Sequence, residues 1–312
     1  MARKIIIDTD PGQDDAVAIL LALASPDDLE VLAITAVAGN VPLPLTLVNS
    51  LKMVELAGRP EVPVLAGCDR PMVRRLITAE YVHGKTGLDG ADLPDPRTAA
   101  APGHAVDRII ELVMSNEPGT VTICPLGPLT NVGTALARSP EIAPRLQEIV
   151  LMGGGFFEGG NTTPTAEFNI YVDPQAADIV FRSGVPLTVM SLDVTHRALM
   201  LPRHLDRFSA MGTRVGTAVH GLLTFYERYD VEKYGMEGGP LHDPCVIAYL
   251  LRPSLFAGRL INVTVEVESE LTMGMTVADW WGMTERPRNA RWMRRIDADG
   301  FFDLLVERIS RL

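Results

Sequence analysis

The sequence predicts an α/β fold: a single open, mostly parallel sheet flanked by helices on both faces, with a mixed extension toward the C-terminal end. Three observations point there. Strand and helix signals alternate through the first two thirds of the chain, the order that right-handed crossovers turn into a parallel sheet. Polar blocks follow the strand signals: "DTDPGQDD" (8–15), "AGN" (38–40), "CPLGPLTN" (124–131) and "MGGGFFEGGN" (152–161). A hydrophobic content of 47% against 21% charged residues suffices for a core on both sides of a sheet.

In chain order, residues 4–7 read as a short buried strand and 14–25 as a helix that opens on Asp and stops at Ser-Pro. Residues 30–37 are a strand with several β-branched side chains, 45–57 a helix closed by Gly58, and 62–65 a short strand. After a long polar segment, 105–115 is helical and 120–124 a strand, from which "GPLTN" opens another helix. Residues 148–152 form a strand running into "GGG", 175–182 a helix and 187–192 a strand. From about residue 200 the character changes. Residues 205–229 read as helical with interruptions at Gly212 and Gly216, and "HDPCVIAYLL" (242–251) as a helix entered through Asp-Pro. Residues 260–267 form a strand, 272–277 pairs with it, and 301–309 is a terminal helix. No linker, repeat or low-complexity tract interrupts the pattern, so one domain over residues 1–312 is expected.

Composition excludes several classes. A net charge of −11 argues against a nucleic-acid scaffold, because phosphate backbones need a basic surface. No apolar run reaches membrane-spanning length, and "MARKIIIDTD" meets Asp8 too soon for a secretory signal. Cys68, Cys124 and Cys245 are widely spaced, without a CxxC pair, as expected of buried thiols in a reducing cytoplasm. "MGGGFFEGGN" misses the glycine spacing of a dinucleotide fingerprint and reads as a turn that lets backbone approach a ligand.

"DTDPGQDD" places Asp8, Asp10, Asp14 and Asp15 beside a buried strand, where like charges repel and burial raises the cost of each. An EF-hand loop counted from Asp8 needs Gly at its sixth position and an acid at its twelfth, but finds Gln13 and Ile19. A haloacid-dehalogenase phosphatase fits Asp8-Thr9-Asp10 but not the Pro11-Gly12 that follows, and no later acidic motif holds its magnesium. An acidic N-cap explains Asp14 and leaves Asp8 and Asp10 unexplained. A metal site accounts for more: Asp10 projects from the strand end and Asp15 from the first helical turn. Oxygen ligands without clustered Cys or His select Ca²⁺ or Mg²⁺ over zinc.

The motif "DTDPGQDDA" resembles the N-terminal signature of the inosine-uridine preferring nucleoside hydrolases. Further blocks resemble the same family in its order: "VAGN" (37–40), "VHGKTGLDG" (82–90), "LGPLTN" (126–131), "MGGG" (152–155), "GN…AEFN" (160–169) and "HDP" (242–244). The resemblance implies hydrolysis of the N-glycosidic bond of ribonucleosides, with Ca²⁺ held by Asp10, Asp15, the Leu126 carbonyl and Asp243. It implies Asp10 as general base and His242 as the group assisting base departure. Asp14, Asn40, Met152, Asn161, Glu167 and Asn169 are its implied sugar contacts. His83 falls in a block associated with a mobile loop over the base. Family members are usually dimers or tetramers, so a homo-oligomer is expected.

The chemistry asks for these residue types. Cleaving C1′–N passes through an oxocarbenium-like sugar, which a carboxylate floor stabilises. Of the aromatic residues on the 205–229 helix, Phe225 and Tyr229 are the expected base-pocket residues, with Tyr226 beside them. His104, His196, His204 and His220 are read as structural, and Asp193 in "LDVTH" (192–196) as supporting. A non-catalytic calcium-dependent nucleoside or sugar binder is the rival reading; it needs the ligands but not a base with an acid across the ring.

Overall fold

Strand β1 (Arg3–Thr9) is apolar toward both of its faces, which fixes its place inside a sheet covered on two sides. Ile5 and Ile7 join one hydrophobic cluster and Ile6 the other, the two-residue alternation of a pleated strand. The computed structural model describes residues 2–312, apart from the side chains of Asp230 and Tyr234.

Helix α1 (Gln13–Leu23) leads to β2 (Leu29–Ala36), α2 (Leu43–Leu56) and β3 (Val64–Ala66). The chain then passes through α3 (Glu80–His83) and α4 (Ala105–Ser115) to β4 (Val121–Pro125), α5 (Thr130–Arg138) and β5 (Leu146–Met152). Next come α6 (Phe168–Val172), α7 (Pro174–Arg182), β6 (Leu187–Met190) and α8 (Leu192–Thr195). Strand β7 (Leu199–Met200), α9 (Pro202–Ser209), α10 (Arg214–Tyr234), β8 (Gly239–Pro240) and α11 (Pro244–Leu251) follow. The last elements are β9 (Phe256–Val265), β10 (Thr276–Asp279), β11 (Ala290–Ile296) and α12 (Ala298–Ile309).

A nine-stranded sheet runs β10-β9-β11-β6-β5-β4-β1-β2-β3. From β3 across to β11 all neighbours are parallel; β9 lies antiparallel to β11, and β10 antiparallel to β9. One face carries α1, α2 and α9 to α12, the other α4, α5 and α7. All eleven residues of α1 are buried; after Gln13, Asp14 and Asp15 its sequence from Ala16 to Leu23 is apolar around the whole circumference. Truncating one of them, as in Ile19→Ala, costs about 3 kcal/mol through lost transfer energy and the cavity left behind.

The expected α/β sheet with its mixed extension is the fold observed, with local corrections. Strand β6 ends at Met190 and not at residue 192, because Val194 and Thr195 return their N–H groups to the Ser191 carbonyl and start α8. Only Gly212 interrupts the 205–229 region. Gly216 lies within α10, where a side chain would press on the Phe208 carbonyl 2.6 Å away. Strand β10 covers 276–279 instead of 272–277. Elements α3, α6, β7, β8 and β11 were not expected. Among the described residues, no helix is long and apolar enough to cross a membrane.

The connections decide where a ligand sits. From β1 the chain moves outward to β2 and β3, then returns to β4 on the other side of β1 and continues to β5 and β6. The β1/β4 boundary is therefore a topological switch point, and a crevice opens there outside the carboxyl ends of the strands. "DTDPGQDD", "AGN", "LGPLTN" and "MGGG" end on that rim.

Candidate active site

The rim closes around a cleft lined by side chains from the strand-end blocks. Its lining includes Asp14, Asn40, His83, Leu126, Met152, Asn161, Glu167, Asn169, Tyr229, His242 and Asp243. The sequence had singled out all eleven. Asp10 and Asp15 are fully buried beneath them.

Asp10 sits on the last turn out of β1. Its Oδ2 accepts the Asn40 N–H at 2.7 Å, while its Oδ1 is buried with no hydrogen-bond partner. Gly39 and Gly127 press on this carboxylate from two sides, and a side chain at either would collide with its oxygens. Asp15 is held by donors: Thr9 Oγ1 and the Gly12 N–H at 2.9 Å, with Asn40 Nδ2 at 3.1 Å. Oxygens of Asp14, Asp15 and Asp243 all lie within 4.8 Å of one another. The tightest acidic group thus includes Asp14, which the sequence reading had put among the sugar contacts, with Asp10 adjoining it.

Burial, then the charge of Asp15, holds the Asp10 carboxyl well above the usual carboxylate range. The same two causes push Asp14 up to about 7, and burial followed by Asp14, Asp15 and Asp10 raises Asp243. Bare, this group retains protons that a dication would replace. The donor set is all oxygen, and Asp10 Oδ1, like Asp8 Oδ1, is a buried acceptor without a partner. Both features fit a hard cation.

One wall of the cleft is fixed by its own backbone. Glu167 caps α6, its oxygens accepting the N–H groups of Asn169 at 2.9 Å, Gly154 at 2.9 Å and Ile170 at 3.2 Å. Asn169 Nδ2 donates to the Leu126 carbonyl at 2.6 Å, and Asn161 Oδ1 accepts the Phe168 N–H at 2.9 Å. Opposite stand the rings. Gln13 Nε2 donates to the carbonyls of His83 and Asp89 at 3.0 Å each, so its Oε1 accepts from His83 Nδ1 at 2.8 Å. Burial pushes His83 down to about 3 and takes His242 well below its usual range. Tyr226 stacks on His83 with ring centres 5.7 Å apart, and Tyr229 meets Tyr81 at 5.5 Å.

One expected residue is elsewhere. Phe225 faces a separate hollow with Gly90 and His220, under the Arg228 guanidinium 3.9 Å from its ring centre. On α10, Tyr229 lies between Phe225 and Tyr226 around the axis, about 40° from the first and about 60° from the second; the cleft takes Tyr226 and Tyr229, where α3 packs with His83 and Tyr81. Tyr81, Val82, Thr162 and Phe168 also line the cleft without having been singled out. Their neighbours in sequence are the signal: Tyr81 and Val82 precede His83, Thr162 follows Asn161, and Phe168 lies between Glu167 and Asn169.

Fold and cleft together define a class: an α/β protein whose acid-floored pocket opens at the switch point of its sheet. The profile described as inosine-uridine preferring nucleoside hydrolase matches residues 5–303, and the chain belongs to that family. It is a hydrolase acting on N-glycosyl compounds. An uncharacterized protein of Schizosaccharomyces pombe is 52% identical over 309 residues, covering 99% of both chains. The pyrimidine-specific ribonucleoside hydrolase RihA of Photobacterium profundum is 46% identical over 312 residues, with 99% of each chain covered. Among solved structures, the purine-preferring ribonucleoside hydrolase from Gardnerella vaginalis superposes with a TM-score of 0.92 at 34% identity, covering 99% of this chain and 98% of that one.

Proposed function

We propose that the protein cleaves ribonucleosides to free base and ribose, with Asp10 as general base, His242 assisting the departing base, and a calcium ion on the cleft floor. The observation that carries this reading is the buried, partnerless Oδ1 of Asp10 beside three further carboxylates under a cleft lined with polyol partners. Asp10, Asp15, Asp243 and the Leu126 carbonyl would hold the ion, with Asp14 adjoining. When bound, calcium supplies a fixed positive charge that orients the ribose diol and acidifies water.

The protein's own groups do the rest. Asp10 Oδ1 takes a proton from the attacking water, whose oxygen forms the new bond to C1′ as the C1′–N bond breaks. The carboxylate floor stabilises positive charge developing on the sugar ring. Glu167, Asn161 and Asn169 orient ribose from one wall, with Met152 as its apolar contact and Asn40 bracing Asp10 and Asp15. Tyr226, Tyr229 and His83 face the base, and His242 donates a hydrogen bond to the departing nitrogen as negative charge builds on it.

The RihA relatives support pyrimidine ribonucleosides as the better substrates, because they match this chain at 46–48% identity over its whole length. We further read it as a one-domain cytoplasmic homo-oligomer, dimer or tetramer, which native mass spectrometry would check. Assaying reducing sugar released from uridine, cytidine, inosine and adenosine tests the activity itself. If every nucleoside binds and stays intact, the protein is a binder and the reading is wrong.

A further inference from the structure

The segment "LDVTH" was read only as supporting, and the reaction outlined above uses none of it. Yet α8 touches both walls of the cleft. Asp193, almost fully buried, accepts the N–H groups of Phe156, Phe157 and Glu158 on Oδ1 at 3.2, 2.9 and 2.9 Å. Its Oδ2 accepts the Trp292 indole N–H at 2.7 Å, reaching across to β11. Next to it, the Leu192 N–H donates to the Gly154 carbonyl at 2.8 Å, and the Gly154 N–H in turn donates to Glu167 Oε2 at 2.9 Å. The glycine-rich loop is thereby pinned at 154 and 156–158, and that loop presents Glu167 and Asn161 to the sugar.

Two residues further on, Thr195 Oγ1 lies 2.7 Å from His242 Nδ1. Thr195 is fully buried, and this nitrogen is the hydroxyl's hydrogen-bond partner among the described residues. A buried hydroxyl must donate its proton, so Nδ1 is the acceptor. The ring proton then sits on Nε2, the nitrogen left for the cleft. A neutral histidine that stabilises the departing base by donating a hydrogen bond to it needs that tautomer.

We propose that α8 is a two-armed positioning element of the active site. Asp193 sets the loop that places Glu167 at the sugar, and Thr195 sets the orientation and tautomer of His242 at the base. One short helix thus registers the two walls against each other, with Trp292 of the C-terminal extension as its anchor. The inference rests on the hydrolase reading above and adds residues that touch neither sugar nor base.

Each arm has its own kinetic signature, measured on the full-length, metal-loaded protein. Thr195→Val keeps the shape and loses the hydroxyl. Its kcat on a ribonucleoside, relative to kcat on 4-nitrophenyl β-D-ribofuranoside, falls about tenfold or more, since the nitrophenolate leaves without a proton. Thr195→Ser restores that ratio to within about twofold of wild type. Asp193→Asn turns an N–H toward the Trp292 indole, loosens the loop, and raises KM about tenfold for both substrates, because both carry ribose. Adding Trp292→Phe removes the opposed donor and recovers part of that loss, a coupling that independent sites would not show. Should Asp193→Asn fail to fold, the two Thr195 variants decide. A wild type that frees ribose from no ribonucleoside sinks the hydrolase reading and the brace with it. An active wild type whose Thr195→Val leaves the leaving-group ratio unchanged, with Asp193→Asn unchanged in KM where it folds, sinks the brace alone.

Discussion

Asp173 and Asp193 are as deeply buried as Asp10, Asp14, Asp15 and Asp243, but their surroundings differ. Asp173 accepts the Met72 N–H, the Thr130 hydroxyl and the Ala176 N–H, and Asp193 accepts four N–H groups. Every oxygen of these two is met by a donor, and each ties separate segments together. On the cleft floor, by contrast, the carboxylates face one another, and Asp10 Oδ1 meets no donor. Burial alone therefore says little about a carboxylate's role. What surrounds it tells more: donors with no carboxylate nearby make a structural bracket, while neighbouring carboxylates, as around Asp15 despite its donors, leave a charge that a cation or protons must neutralise.

Substitution at Asp10 probes the floor and carries the largest expected effect. Asp10→Asn removes the proposed base and a charged ligand, and kcat falls about 10³-fold or more in steady-state assays. The same change relieves repulsion, so the metal-free variant melts above the metal-free wild type in calorimetry. Near-normal turnover in a metal-loaded Asp10→Asn would break the comparison at its functional end.

Asp173→Asn probes the bracket type. It sets an amide N–H against the Met72 N–H and costs about 3 kcal/mol of stability, read as a lower denaturant midpoint. Metal content and the KM for nucleoside stay at wild-type values. A loss of bound metal in this variant would mean that the two kinds of carboxylate are not separable.

The smallest effect comes from adding one more anion to the cleft. Glu167 stands, by resemblance, near the ribose 5′ end, so inosine 5′-monophosphate brings a phosphate against a buried carboxylate. At contact distance and an effective dielectric of 20 the repulsion is about 4 kcal/mol. Halved for relaxation and screening, it still lowers kcat/KM by more than about tenfold relative to inosine at matched ionic strength. Equal efficiency on the two compounds would move Glu167 away from the 5′ carbon.

Most of the cleft was legible in the sequence because its residues sit in polar blocks that break an apolar pattern. A carboxylate at the end of "IIIDTD" has no structural excuse, and "AGN", "LGPLTN" and "HDP" stand out equally at element ends. What stayed hidden depended on geometry that spacing does not encode. Strand β11, "ARWMRRI", carries three arginines in seven residues and hides its buried Trp292 and Met293 among them. Its place between β6 and β9 comes from pairing across distant segments. The error at Phe225 has a similar origin. Phe225 and Tyr226 flank Tyr229 on the helix surface, and packing against α3, through Tyr81 and His83, selects Tyr226 for the cleft. Asp193 looked ordinary because its donors come from residues 156–158 and 292.

Metal dependence tests the contrast between the two kinds of buried carboxylate most directly. Strip the protein with a chelator, confirm the loss by elemental analysis, and follow reducing sugar released from uridine and inosine before and after Ca²⁺ is returned. The stripped protein is expected to release no ribose, and calcium bound in a 1:1 ratio to restore full activity. Undiminished hydrolysis by metal-free protein, or recovery with zinc and none with calcium, would contradict it.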